Sequence, residues 1–131
     1  MVEQNGHPVI LIVDDEPLIM DVLQAALEEA GFSSVKASDA NEAFALLETH
    51  GSSLVGVVTD INLGSPRDGW DVARRAREHN GAVAVVYCSG GSPHDWPIEG
   101  VPKSVMLTKP FATAQVVVAL SNLINGAAPG G

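Results

Sequence analysis

The sequence predicts an α/β fold: a five-stranded parallel sheet in the order 2-1-3-4-5 with helices on both faces. Three observations predict it. Short β-branched apolar stretches alternate along the chain with stretches of helical periodicity. The strongest of the short stretches are continuously apolar, as strands covered on both faces must be. The connections carry helices, which right-handed crossovers between parallel strands require. The first, third and fourth strands are unbroken and belong in the centre, and the weaker second and fifth belong at the edges. The order itself is taken by analogy with other doubly wound sheets that share this ranking.

Each element has its own warrant. Val9-Ile10-Leu11-Ile12-Val13 is the first strand. Leu18, Ile19, Val22, Leu23, Ala26, Leu27 and Ala30 then recur at helical spacing, and Gly31 supplies the stop. Ser33 to Ala37 is a weak strand. Asp39 and Glu42 form a capping pair ahead of Ala43, Phe44 and Leu47, in a helix that ends near Gly51. Leu54 to Thr59 is the third strand. Gly64 to Gly69 is a polar loop that leads into a helix from about Trp70 to Glu78. Its Val72, Ala73 and Ala76 face inward, with Arg74, Arg75 and Arg77 on or near the wet side. Val83 to Tyr87 and Ser104 to Thr108 are the last two strands. The closing helix, from about Ala112 to Ile124, has Val116, Val117, Leu120, Leu123 and Ile124 as its apolar stripe.

One segment breaks the rhythm. Where a helix is due between the fourth and fifth strands, Pro93, Pro97, Gly100 and Pro102 intervene. Interior proline costs a helix ~3 kcal/mol, so this helix is expected to be short or disordered. The chain divides into a lead (residues 1–7), one domain (8–125) and a flexible Gly/Ala/Pro tail (126–131).

Composition narrows the function. Lys and Arg number 7 against 16 Asp and Glu, a formal net charge of −9, which is repelled by phosphate backbones and anionic lipid. No nucleic-acid or membrane partner is expected, and a cytoplasmic protein is the default. The one cysteine, Cys88, excludes a disulfide framework and a Cys-based zinc cluster, and is expected to pack as a small hydrophobe. His7, His50, His79 and His94 lack ligand spacing and are read as solvated surface. Trp96 has two readings, an anchor for the proline-rich loop, which is favoured, or an apolar contact presented to a partner.

In such a sheet, ligands meet the carboxyl ends of the strands. Those ends carry Asp14-Asp15-Glu16, Asp60, Ser89-Gly90 and Lys109-Pro110. The acidic residues after the first strand would suit a helix N-terminus, yet capping alone leaves Asp60 and Lys109 unexplained. Carboxylates brought to one cleft repel each other, and a hard divalent cation such as Mg²⁺, which takes oxygen ligands, resolves the conflict. A lysine is then left for a phosphoryl group and a hydroxyl for another of its oxygens. An aspartate between cation and lysine is placed to attack phosphorus.

Four stretches carry a family resemblance: Val13-Asp14-Asp15-Glu16, Thr59-Asp60-Ile61-Asn62-Leu63, Cys88-Ser89-Gly90 and Thr108-Lys109-Pro110-Phe111. Each is common alone, but all four in order, each at a strand end, are specific. The chain resembles a response-regulator receiver domain of two-component signalling, a flavodoxin-like fold, over about residues 8–125. The resemblance implies Asp60 as phosphoacceptor and Asp15 and Asp60 as direct Mg²⁺ ligands. Asp14 would act through a water and Asn62 through its backbone carbonyl. It further implies Ser89 as the switch hydroxyl and Lys109 as the phosphate-contacting lysine. Asn62 and Gly91 stand where receivers tune dephosphorylation.

Two departures accompany the resemblance. Many receivers carry an aromatic residue three before the lysine, where this chain has Met106. The residues Phe111-Ala112-Thr113 are similar to the first half of the Phe-Ala-Thr-Gly-x-Tyr motif of an atypical receiver subgroup, with Ala114 and Val116 replacing its Gly and Tyr. The function this implies is that of a single-domain response regulator. It would take phosphate from a histidine kinase or phosphotransfer protein and switch a face toward an unknown downstream protein, rather than act as an enzyme. Segment 92–102 is expected to lose mobility on phosphorylation. Two rivals stand beside it. One is a pseudo-receiver that binds partners constitutively. The other is a small Mg²⁺-dependent aspartyl-phosphate phosphatase, which would want Asp-x-Asp after the first strand and a cap domain.

Overall fold

The computed structural model describes residues 7–63, 67–90 and 100–126. Strands β1 (Val9–Val13), β2 (Ser33–Ala37), β3 (Leu54–Asp60), β4 (Ala84–Ser89) and β5 (Ser104–Thr108) form one sheet in the order β2-β1-β3-β4-β5. Every pairing is parallel. Among the described residues there are four α-helices: α1 (Pro17–Glu29), α2 (Ala40–His50), α3 (Gly69–His79) and α4 (Thr113–Ile124). None of them is long and apolar enough to cross a membrane.

The sheet is covered on both sides because its strands are apolar on both faces. Leu11, Val13, Val57, Val85 and Tyr87 point toward α2 and α3, where they meet Leu47, Val72 and Trp70. Ile10, Ile12, Val58, Val86 and Cys88 point the other way, toward Met20, Leu23 and Leu27 of α1 and Val116 and Leu120 of α4. Gly31 ends α1 as expected, at a φ of 94° that a side chain would resist. Asp39 caps α2 by accepting the Glu42 N–H at 2.8 Å, but the Glu42 carboxylate reaches back to Ser38 rather than to Asp39.

Four expectations need correction. Strand β3 runs one residue further than read, through Asp60, and β4 begins at Ala84 and runs on through Ser89. Both residues therefore hang from ladder-bonded backbone rather than from a loop. The α1 stripe is narrower than its periodicity: Met20, Leu23 and Leu27 are buried, while Leu18 and Val22 are 77% and 54% exposed. Helical spacing marks a stripe, but only the neighbouring helix decides which of its edges is covered. Arg77 and His79 are not simply wet. Arg77 donates to the carbonyls of Val83, Pro102 and Lys103, and His79 Nε2 lies 3.2 Å from Glu48.

The tail beyond residue 126, most of the lead, His94, Trp96, Gly91 and all of segment 92–102 except its last three residues lie outside the described residues. Of those three, Val101 is buried.

Candidate functional site

The site is built from strand ends. At the tip of β1, Asp14 donates its backbone N–H to the Ala37 carbonyl (3.2 Å), which fixes the turn toward α1. Its side chain is buried, and Oδ1 accepts the Glu16 N–H at 2.8 Å. The Glu16 side chain makes no cap bond to α1, so capping does not explain these acids. Asp15 next to it is exposed.

Asp60 is the last residue of β3 and is 8% exposed. Thr59, wholly buried, donates its hydroxyl to the Asp60 carbonyl at 2.9 Å. Asp60 Oδ1 accepts the Asn62 N–H at 3.3 Å. The start of α3 seats directly on this backbone: Gly69 donates to the Ile61 carbonyl at 2.8 Å, and a Cβ on Gly69 would lie 2.2 Å from the Asp60 carbonyl oxygen. Any side chain there would force backbone to shift.

From the far side of the sheet comes Lys109, just beyond β5. Its backbone N–H donates to the Ser89 carbonyl at 2.7 Å, which locks the ends of β4 and β5 together. Its Nζ lies 3.2 Å from Asp60 Oδ2, 3.3 Å from Asp14 Oδ2 and 3.6 Å from Glu16 Oε1. Ser89 is buried at the tip of β4. Carboxylate oxygens of Asp14, Asp15 and Asp60 all lie within 4.8 Å of one another. The structure thus brings together Asp14, Asp15, Asp60 and Lys109, with Ser89 at the adjoining strand tip. It sets Asn62 beside Asp60 through its N–H.

The electrostatics follow from burial and pairing. Burial raises the Asp14 carboxyl above its ordinary value, against the opposing pull of the Glu16 N–H and Lys109. Burial alone would lower the Lys109 ammonium, but Asp60 and Asp14 outweigh it and hold it above its usual value. Lys109 is therefore a cation at any ordinary pH. Burial likewise pushes the Cys88 thiol up to about 12, so Cys88 stays a neutral packing residue, as expected.

Three carboxylates facing one ammonium leave excess negative charge in a confined cleft. An all-oxygen set of this kind suits a hard divalent cation. Sequence reasoning places Glu16 at the acidic edge without giving it a role; the structure makes it a third carboxylate on Lys109. That reasoning misses one member of the site. Gly69 was seen only as a loop end, and nothing local betrays its fit against Asp60.

A doubly wound sheet with an acidic cluster and a lysine at its carboxyl edge defines a class of small α/β ligand-binding domains. The comparisons with known proteins place the chain within it. The response regulator receiver domain profile matches residues 10–121. The chain belongs to this family, the receiver domains of two-component systems. A response regulator receiver protein from Sinorhizobium medicae superposes with a TM-score of 0.87 at 39% identity, over 93% of this chain and 98% of that one. A receiver domain protein from Clostridium thermocellum superposes with a TM-score of 0.79 at 27% identity, over 92% and 96%. The alkaline phosphatase synthesis transcriptional regulatory protein PhoP of Bacillus subtilis is 31% identical over 110 residues, 82% of this chain and 44% of that protein. The probable transcriptional regulatory protein TcrX of Mycobacterium tuberculosis is 29% identical over 92% of this chain and 51% of its own length. The chain spans about half the length of these curated relatives.

Proposed function

We propose that the chain is a phosphoacceptor switch: Asp60 takes a phosphoryl group from the phosphohistidine of a histidine kinase or phosphotransfer protein. The observation that carries this reading is the Asp60 carboxylate at a strand tip, with one oxygen on Lys109 and two further aspartates beside it. An Asp60 oxygen attacks phosphorus in line, a P–O bond forms, the P–N bond breaks, and its electron pair stays on the donor imidazole. Lys109 then follows the charge from the carboxylates to the phosphoryl oxygens, and the Ser89 hydroxyl serves another of them. Asp14, Asp15 and Asp60, with the Asn62 carbonyl, would hold Mg²⁺, which supplies charge neutralisation for the incoming phosphoryl group. Hydrolysis reverses the state: water attacks phosphorus, inorganic phosphate leaves and the Asp60 carboxylate is restored. The chemistry is self-directed, and the product is a changed surface for a downstream protein.

Intact mass after incubation with acetyl phosphate and Mg²⁺ tests the reading, beside Asp60→Asn and EDTA controls. One phosphoryl adduct, absent from both controls, is expected. Its absence from the folded wild-type protein would move the weight to a constitutive interaction domain. Millimolar Mg²⁺ should also raise Tm, since a ligand of the native state shifts the folding equilibrium.

A further inference from the structure

Tyr87 is the largest fully buried side chain among the described residues, and its position is unusual for a residue with a polar tip. It lies on β4 two residues before Ser89, pointing into the core beneath α2 and α3. Its hydroxyl accepts the backbone N–H of Val101 at 3.0 Å, across 14 residues of chain. The Val101 carbonyl accepts the Ser104 hydroxyl at 2.6 Å, at the start of β5. Arg77 adds the Pro102 and Lys103 carbonyls, at 2.6 and 3.2 Å. The turn at 101–103 is thus held by side chains from β4, β5 and α3.

The other side of Tyr87 leads back to the site. Its ring packs on Trp70 with centroids 4.6 Å apart and planes tilted by 59°. Trp70 follows Gly69, the residue seated on the Asp60 carbonyl. A continuous packed route therefore runs from Asp60 through Gly69, Trp70 and Tyr87 to Val101. It bypasses Met106, which lies opposite Tyr87 in the ladder. Close-packed interiors pass small displacements on rather than absorb them. Lys109 pulls on the same frame from the other end, because its N–H is tied to Ser89 on β4 and it directly follows β5.

We propose that the Tyr87 hydroxyl is a latch that couples the state of Asp60 to the 101–103 turn. This rests on the reading of Asp60 as phosphoacceptor. A phosphoryl group on Asp60 draws Lys109 toward it, closes the β4–β5 pair and tightens the Tyr87–Val101 bond.

The test is amide hydrogen exchange at Val101 and Lys103, resolved by NMR, with and without acetyl phosphate and Mg²⁺, with adduct formation followed by mass. In the wild type, phosphorylation should slow exchange there about fivefold, the low end of ordinary allosteric couplings. Tyr87→Phe should form the adduct as before but lose that difference. Trp70→Leu keeps the hydroxyl and breaks the packed route, so exchange in the unphosphorylated state should hold while the response to phosphorylation disappears. If Tyr87→Phe speeds exchange equally in both states, so that the ratio survives, Tyr87 is structural only and the latch is overturned. A wild-type adduct with no change at Val101 and Lys103 also overturns it while leaving the phosphoacceptor reading intact. A wild type that forms no adduct overturns both.

Discussion

The two faces of the sheet are closed by different means. On one, α2 and α3 are tied by charge. Arg75 of α3 grips both carboxylate oxygens of Glu48 on α2, at 2.8 and 2.9 Å, and His79 shares that carboxylate. Arg67 stacks 3.9 Å over the Phe44 ring, and Arg77 closes the bottom against main-chain carbonyls. On the other, α1 and α4 share an apolar cluster with the sheet, and α1 stands apart from the stretch that joins β5 to α4. An apolar groove of about 510 Å³ opens there, lined by Leu18, Ile19, Val22, Pro110 and Phe111 and reaching Lys109. The tied face fixes α3, and through Gly69 it fixes Asp60. The open face leaves apolar area in water, where it adds little to folding.

The sharpest test of this contrast is Gly69→Ala. The new methyl must displace backbone, so a loss of about 3 kcal/mol is expected by chemical denaturation. Survival at wild-type stability would show that α3 is not rigidly seated. On the open face, one helix supplies its own control. Leu27→Ala, at a buried position, should cost about 3 kcal/mol, and Leu18→Ala on the same helix less than about 0.5. Equal costs would erase the distinction drawn for α1. Arg77→Ala removes the donor to three carbonyls, of which only that of Val83 is shielded from water, and should cost about 1 kcal/mol.

The smallest effect belongs to the surface pairs. Hydrogen bonds from Arg75 and then His79 hold the Glu48 carboxyl down to about 2, from 4.5. A depressed acid stabilises the fold above its unfolded value and loses that contribution as pH falls. The Tm difference between wild type and Glu48→Gln should therefore be present above pH 4.5 and vanish as pH falls through about 2. A difference that persisted in acid would mean that shape, not charge, joins α2 to α3.

Where the sequence was readable, the reason was period. Continuous apolar strands such as Val9–Val13 have few other readings, and three of the five strands, β1, β2 and β5, begin and end where expected. The site was readable because its residues sit at strand ends, and strand ends in a parallel sheet share one edge. What escaped was long-range. Arg77 looks like any arginine on a wet helix face until the carbonyls of residues 102 and 103 arrive beside it. The burial of Met20 and the exposure of Leu18 depend on where α4 lies, which no local pattern encodes. The Tyr87–Val101 bond joins two residues whose separation gives no hint of contact.

One further consequence follows from where the acids and the lysine are attached. Asp14, Asp60 and Lys109 are positioned by the parallel ladder and by hydrogen bonds between neighbouring strand ends, whereas Leu18, Val22 and Val118 belong to helical surfaces that touch none of those bonds. Exposed positions of α1 and α4 can then change without breaking the hydrogen bonds that set the acidic edge. A lineage, or a designer, could exchange the company this domain keeps while its inner chemistry stayed the same.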